Sequence, residues 1–338
     1  MKPFAYAHPG DVAEAVRDVA AEPNAVFLAG GTNLVDHLKL GIATPDLVVD
    51  VRTLTSREVT DLPDGGLRLG AASTNSEVAA DRRVRERYPV LAQALLAGAT
   101  GQLRNMATTG GNPLQRTRCV YFGDVTTPCN KREPGSGCSA VGGYTRYLAV
   151  LGVPAALPDP TAPETCIATH PSDMAVALAA LDAQVQVLGP AGTRTIPFGE
   201  LHRLVGDDPS TDTTLEHGEL ITSIDLPPLP AGTRSSYRKV RDRASYAYAL
   251  VSVAAVVSGD DVRIALGGVA HKPWRATRAE ELLRGRPLTD HAVRAAMDAE
   301  LAGAQPQPGV GGGNGFKIPL AARTVVATLR ELTSEATR

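Results

Sequence analysis

Apolar and polar residues fall along the chain in short, well-marked blocks, and each block predicts an element. In residues 11–21, Val12, Val16 and Val19 recur at helical spacing behind Asp11, which suits an N-cap, so an amphipathic helix is expected. The apolar run 25–29 is too short for a helix and predicts a buried strand. It stops at Gly30-Gly31-Thr32-Asn33, after which residues 34–40 read as a helix. Residues 47–51 and 67–71 predict further strands, and the set forms a small α/β lobe. A long helix is expected at 89–99, a helix at 173–181 and a strand at 185–188. Residues 237–241, 250–257 and 262–265 predict antiparallel strands, followed by helices near 276–283 and 290–301. A glycine-rich turn at 309–315 leads into a closing helix at 318–332.

Between residues 115 and 156 this periodicity disappears and Arg, Cys, Pro and Gly dominate. A structureless loop of that length in a compact domain either has a job or is disordered. The prolines at 227, 228 and 230 mark a boundary ahead of the C-terminal strands. No internal repeat is evident.

Composition narrows the classes. A chain of 338 residues suits two or three lobes, and 43% hydrophobic with 21% charged residues is ordinary for a globular protein. A net charge of -2 with interleaved signs gives no reason to expect nucleic acid or an anionic membrane as partner. Aromatic content of 4% also argues against a base-stacking platform. No run approaches the ~20 apolar residues that span a bilayer, so no membrane insertion is expected. The N-terminal residues 1–6 lack the apolar core of a signal peptide, which makes cytoplasm the default; a periplasmic place reached by co-export with a signal-bearing partner is the second reading.

Gly30-Gly31-Thr32-Asn33 lies between a strand and a helix. Glycines leave backbone N–H groups unobstructed and a helix start adds partial positive charge, so the segment suits a phosphate or pyrophosphate. It matches neither the dinucleotide fingerprint nor a P-loop, and a plain tight turn is the competing reading. Thr108-Thr109-Gly110-Gly111-Asn112 is a second segment of this kind. Two such turns gripping one diphosphate from opposite sides would explain the pair.

The four cysteines are Cys119, Cys129, Cys138 and Cys166. Disulfides need an oxidising compartment. Zinc favours close Cys-x2–4-Cys pairs, which are lacking here. Unrelated thiols would scatter, whereas three of these share one loop. Four thiolates on a loop rich in Gly and Pro suit a four-iron cluster, with Arg116, Arg118, Lys131 and Arg132 offsetting its negative charge. The spacing is unlike the compact ferredoxin pattern, and all four readings stand at this point. His37 and His170 invite a metal reading too, but His170 reads better as part of the turn feeding the helix at Asp173.

Four stretches in order carry a resemblance: Leu28-Ala29-Gly30-Gly31-Thr32-Asn33-Leu34, residues 109–119, Ala168-Thr169-His170-Pro171-Ser172-Asp173, and residues 237–246. They resemble the FAD-binding medium subunit of the xanthine dehydrogenase, or molybdenum hydroxylase, family, most nearly its aldehyde oxidoreductase branch, whose flavin subunit carries an extra four-iron cluster. The resemblance runs from Phe4 to the final helix. It implies an α+β fold: a two-part FAD-binding domain of the vanillyl-alcohol-oxidase type over residues 1–228, with an iron–sulfur loop at about 115–166. A smaller C-terminal α/β lobe of the molybdenum-hydroxylase flavoprotein type would follow over 229–338, its strands beginning near Arg234.

The resemblance also implies roles. Phe27, Leu28, Ala29, Gly30, Gly31, Thr32, Asn33 and Leu34 would wrap the FAD pyrophosphate and ribityl, with Thr108, Gly111 and Asn112 closing the other side. Asp173 would hydrogen-bond the ribityl or adenosine part, Ile221 would pack beside the ring system, and Lys239 would stand near the isoalloxazine, where a cation stabilises reduced flavin. Read without the resemblance, Lys239 is a strand-end lysine and Asp173 a helix-start acid. Cys119, Cys129, Cys138 and Cys166 would hold a [4Fe-4S] cluster. Two departures stand out: Pro113 replaces an expected apolar residue, and an insertion-like stretch at 154–163 widens the gap between Cys138 and Cys166.

By the same resemblance, substrate chemistry belongs to a large molybdenum-cofactor subunit. Electrons then pass through a small two-iron-cluster subunit to the FAD held here, in a heterotrimer or its dimer, and on to an external acceptor. No nucleophile with an activating base is evident, so no catalytic residue is expected in this chain. The rivals are a self-sufficient FAD oxidoreductase acting on a small molecule and a non-catalytic scaffold whose cysteines bind zinc.

Overall fold

The computed structural model describes residues 1–153 and 155–334. Pro154, which opens the insertion-like stretch, and residues 335–338 at the chain's end lie outside the described residues. Three sheets organise the rest. In the first, β1 (Ala5–Ala7), β2 (Ala25–Leu28) and β3 (Leu47–Asp50) run parallel in the order β1-β3-β2. Helix Val12–Ala21 lays Ala15, Val16 and Val19 on them, and the Asp11 side chain accepts the Glu14 amide at 2.7 Å as its N-cap.

The second sheet is antiparallel. It contains β4 (Val59–Asp61), β5 (Leu67–Gly70), β6 (Gln184–Gly189), β7 (Gly192–Pro197) and β8 (Leu220–Leu226), in the order β4-β5-β8-β6-β7. The chain leaves this sheet after β5 and returns only at β6. Residues 71–183 form an excursion that carries the second glycine segment and all four cysteines. Among the described residues of the cysteine loop only one short helical turn forms, Val120–Gly123, and turns make up most of the remainder.

The third sheet, β9 (Arg234–Val240), β10 (Val251–Ser258), β11 (Asp261–Gly267) and β12 (Trp274–Arg275), is antiparallel in chain order. Successive side chains of a strand point to opposite faces, and β10 is apolar on both. Val251, Val253, Ala255 and Val257 enter a core with the helices Thr277–Leu283, Asp290–Glu300 and Lys317–Ser334. Ala254 and Val256 enter a different core, formed with the helices Pro89–Ala97 and Asp173–Ala180 and the five-stranded sheet. Each fully buried Val stabilises by ~1.5–3 kcal/mol, so this strand fastens the two halves together. Helix Asp173–Ala180, buried at every position from Met174 to Ala180, lies between the halves. No described helix is long and apolar enough to cross a membrane.

Candidate functional site

The turn after β2 brings its backbone against a distant one. A Cβ at Gly30 would lie 2.0 Å from the Met106 carbonyl oxygen, so only glycine fits there, and Gly31 has φ +70°. The amides of Gly30, Gly31, Thr32, Asn33 and Leu34 donate to no backbone carbonyl among the described residues. Opposite them, the Thr108 hydroxyl accepts the Gly111 amide at 3.2 Å, and the Gly110 amide is tied to Ala71 O at 2.9 Å. The two segments are laced together where Asn33 Oδ1 accepts the Arg116 amide at 2.9 Å. Between them opens a cleft of about 340 Å³, lined by Phe27, Ala29–Leu34, Thr108, Gly110–Asn112, Arg116 and Ile221 among others. Free amides on one wall and apolar side chains on the other suit a ligand with a diphosphate and a flat organic part.

Ile221 reaches this cleft through a bulge. Gln186 pairs with Ser223 and Val187 with Ile221, so Thr222 is the extra residue, and its carbonyl accepts the Ala71 amide at 3.1 Å. Leu28 does not line the cleft.

At Asn112 and Gln115 the cleft adjoins a depression of about 210 Å³, with Gly98, Asp173, Lys239, Arg241 and Tyr248 around it. Asp173 and Lys239, far apart in sequence, form an ion pair at 2.7 Å with side chains only 9% and 6% exposed. Tyr237 donates its hydroxyl to the other carboxylate oxygen at 2.5 Å, and Lys239 also donates to Ala97 O at 3.2 Å. Burial, with the Asp173 charge second, pushes the Tyr237 hydroxyl well above its ordinary value, so it stays a donor. Ser172 caps the helix, accepting the Ala175 amide, and donates to Asn112 Oδ1 at 2.5 Å, which joins this end to the second glycine segment.

All four cysteines line one small pocket, with Phe122, Ile167, Ala140 and Ala168 among its apolar walls. They are free thiols, and Cys129 and Cys138 face each other across an antiparallel bridge. Burial raises the Cys166 thiol to about 12 and the Cys119 thiol to about 11, while the Tyr121 and Phe122 amides pull the latter back and Lys131 and the Ala168 amide the former. Among the described residues no three His, Cys, Asp or Glu side chains converge tightly enough to grip a single metal ion. Of the cations expected around the sulfurs, Lys131 lines the pocket, but Arg116, Arg118 and Arg132 do not. Arg132 is spent on the carbonyls of Tyr121, Phe122 and Thr127, and Arg118 lies over the Tyr248 ring. Cys119 also opens on a cavity of about 450 Å³ that runs to Asp173 and Tyr248.

Several participants carry no motif. Asp212 pairs with Lys131 Nζ at 2.5 Å and Arg116 Nε at 2.7 Å; burial would raise its carboxyl, but these two cations hold it below the ordinary range. Tyr237 lies within residues 237–246, where the sequence alone marks no role for its hydroxyl. His37 lies edge-on to Phe122 beside Asn33, and burial lowers it to about 4. His170 sits in the turn before Asp173, its ring 4.4 Å from that of His202.

Comparison with known proteins gives a consistent result. Residues 2–229 match the family described as the FAD binding domain in molybdopterin dehydrogenase, and residues 235–332 match the CO dehydrogenase flavoprotein C-terminal domain. The chain is 49% identical to the aldehyde oxidoreductase FAD-binding subunit PaoB of Escherichia coli over 338 residues, 99% of this chain and 100% of that protein. It is 27% identical to the glyceraldehyde dehydrogenase medium chain of Sulfolobus acidocaldarius, covering 86% of this chain and 84% of that one. Among solved structures, carbon monoxide dehydrogenase from Hydrogenophaga pseudoflava aligns over 99% of both chains with TM-score 0.74 and 26% identity.

Proposed function

Since the chain belongs to the FAD-binding medium-subunit family of the molybdenum hydroxylases, we propose that it carries electrons from partner subunits to an external acceptor within an aldehyde-oxidising complex. The partners in this reading are a large subunit bearing the molybdenum cofactor and a small one bearing two-iron clusters. One observation carries it: the cleft between the glycine segments and the depression at the buried Asp173–Lys239 pair adjoin, sharing Asn112 and Gln115 as walls. That is the arrangement an extended dinucleotide needs, with its diphosphate on free amides and its ring beside a fixed cation.

When bound, FAD supplies the ability to take up electrons and release them singly or in pairs. The residues do the rest. The amides of Gly30 to Leu34 bind the diphosphate, with Thr108, Gly111 and Asn112 opposite. Asp173 fixes the Lys239 ammonium in one place, and Lys239 favours negative charge gathering nearby. Ile221 keeps water from one side of the cleft.

The same reading places a [4Fe-4S] cluster on Cys119, Cys129, Cys138 and Cys166. The donor set supports it: four free thiols, no imidazole or carboxylate in the pocket wall, and backbone amides turned toward the sulfurs. Cys119, shared by the sulfur pocket and the cavity leading to Asp173, is the ligand through which the two centres communicate.

The test is purification from the native host without air, followed by metal, flavin and subunit analysis. One FAD per chain and about four irons beyond those of the two-iron clusters, with two companion polypeptides, are expected. Zinc near one per chain with no iron beyond that of the two-iron clusters would overturn the cluster. Aldehyde turnover by the isolated chain would instead support a self-sufficient oxidoreductase.

A further inference from the structure

We propose that Asp212 is a positioning residue that couples the two cofactor sites, so that FAD binds more tightly when the cysteine pocket holds its cluster. The inference rests on the cluster reading above and concerns how this chain's residues respond to it. Asp212 lies at a junction. One carboxylate oxygen is 2.5 Å from Lys131 Nζ, whose side chain is only 4% exposed, and the other is 2.7 Å from Arg116 Nε. Lys131 lines the sulfur pocket two residues after Cys129, and also donates to Pro209 O at 2.7 Å. Arg116 lines the FAD cleft three residues before Cys119. Its guanidinium donates to Ser210 O at 3.0 Å and Lys131 O at 3.3 Å, while its backbone amide holds Asn33 of the glycine turn at 2.9 Å.

One carboxylate therefore ties the wall of the flavin cleft to the wall of the cysteine pocket, and no other acidic group shares either contact among the described residues. Ligation of Cys119 and Cys129 would fix the chain on both sides of this network. The ordering of Arg116 and Asn33 is then already complete when FAD arrives, which removes part of the entropic cost of binding it. Linkage is reciprocal, so bound FAD equally retains the cluster.

The experiment uses the full chain prepared without air, iron-loaded or stripped with a chelator, and measures FAD affinity by quenching of flavin fluorescence. In the wild type, loading is expected to tighten FAD binding about ten-fold, within the usual range of coupling between sites. In Asp212→Asn the ratio should shrink to less than about two-fold, and Asp212→Glu should restore most of it. A residue that merely supports the fold would weaken both forms alike and leave the ratio unchanged, which would overturn the proposal. If Asp212→Asn fails to fold by thermal melting, Arg116→Gln reads the same link. A chain that takes up no iron overturns the cluster reading and this inference together. One that takes up iron yet shows equal FAD affinity in both forms overturns the inference alone.

Discussion

At Gly30 the lack of a side chain lets two stretches of backbone meet that are far apart in sequence. Gly30→Ala would place a methyl carbon into the Met106 carbonyl, and overpacking of this kind costs ~1–3 kcal/mol. Because relief must come from spreading the cleft, FAD affinity should fall at least about ten-fold, read as flavin absorbance per chain after gel filtration. Gly41→Ala is the control: with φ +73° and nothing within 4 Å of its Cβ, it should cost ~1–2 kcal/mol of stability and leave the flavin in place. That the turn leaves backbone amides open to a phosphate was legible from its two glycines between a strand and a helix. Why glycine is needed was not, because the answer is a contact with residue 106. Likewise Arg116 was visible only as a positive charge near a cysteine. Its role at the cleft depends on Asp212, which no local pattern marks.

Among the elements, strong apolar runs such as β10 and the helix at Asp173–Ala180 were plain in the sequence. β8 was not, although it carries Ile221. Its bulge at Thr222 shifts the inward phase by one residue, so Leu220, Ile221, Ile224 and Leu226 are all buried and no alternation survives. The edge strands β4 and β7 are short or exposed and give little apolar signal.

The glycine-rich turn at 309–315 was read as a bare connection, yet it ends in a clasp. Lys317, with no exposed surface, donates to Leu148 O at 2.9 Å and Gly268 O at 2.7 Å, while Asn314 donates to Leu148 O and Ala149 O at 3.1 Å. The start of the last helix thus holds the far end of the cysteine loop against the C-terminal sheet. Burial lowers the Lys317 ammonium to about 7. Unfolded lysine keeps its proton to ~10.4, so between these values the unfolded chain binds the extra proton and stability rises with pH. Wild-type unfolding free energy should therefore gain up to ~1.4 kcal/mol per pH unit above pH 7 from this residue. Lys317→Met should lose that slope in urea titrations at pH 7, 8 and 9; an unchanged slope would refute the assignment.

Over the whole molecule, His170, His202 and His271 gather where the sheets and the cysteine loop adjoin. Burial holds His170 well below its ordinary value, His202 at about 4 and His271 at about 3. All three stay neutral in the fold, whereas in the unfolded chain they take up protons below pH ~6.5. Stability is therefore lost as pH falls from about 6.5 toward 4. The melting temperature should drop steadily over that interval, and His271→Gln should blunt the fall. A melting temperature flat from pH 7 to 5 would contradict this. The same junction bears on how the polypeptide can be made. Because β10 offers one flank to each core, a gene severed at the proline run would yield two fragments, each exposing a greasy strip that only the other covers. Expressed apart, they should end in inclusion bodies; expressed in one cell, they should find each other and reassemble.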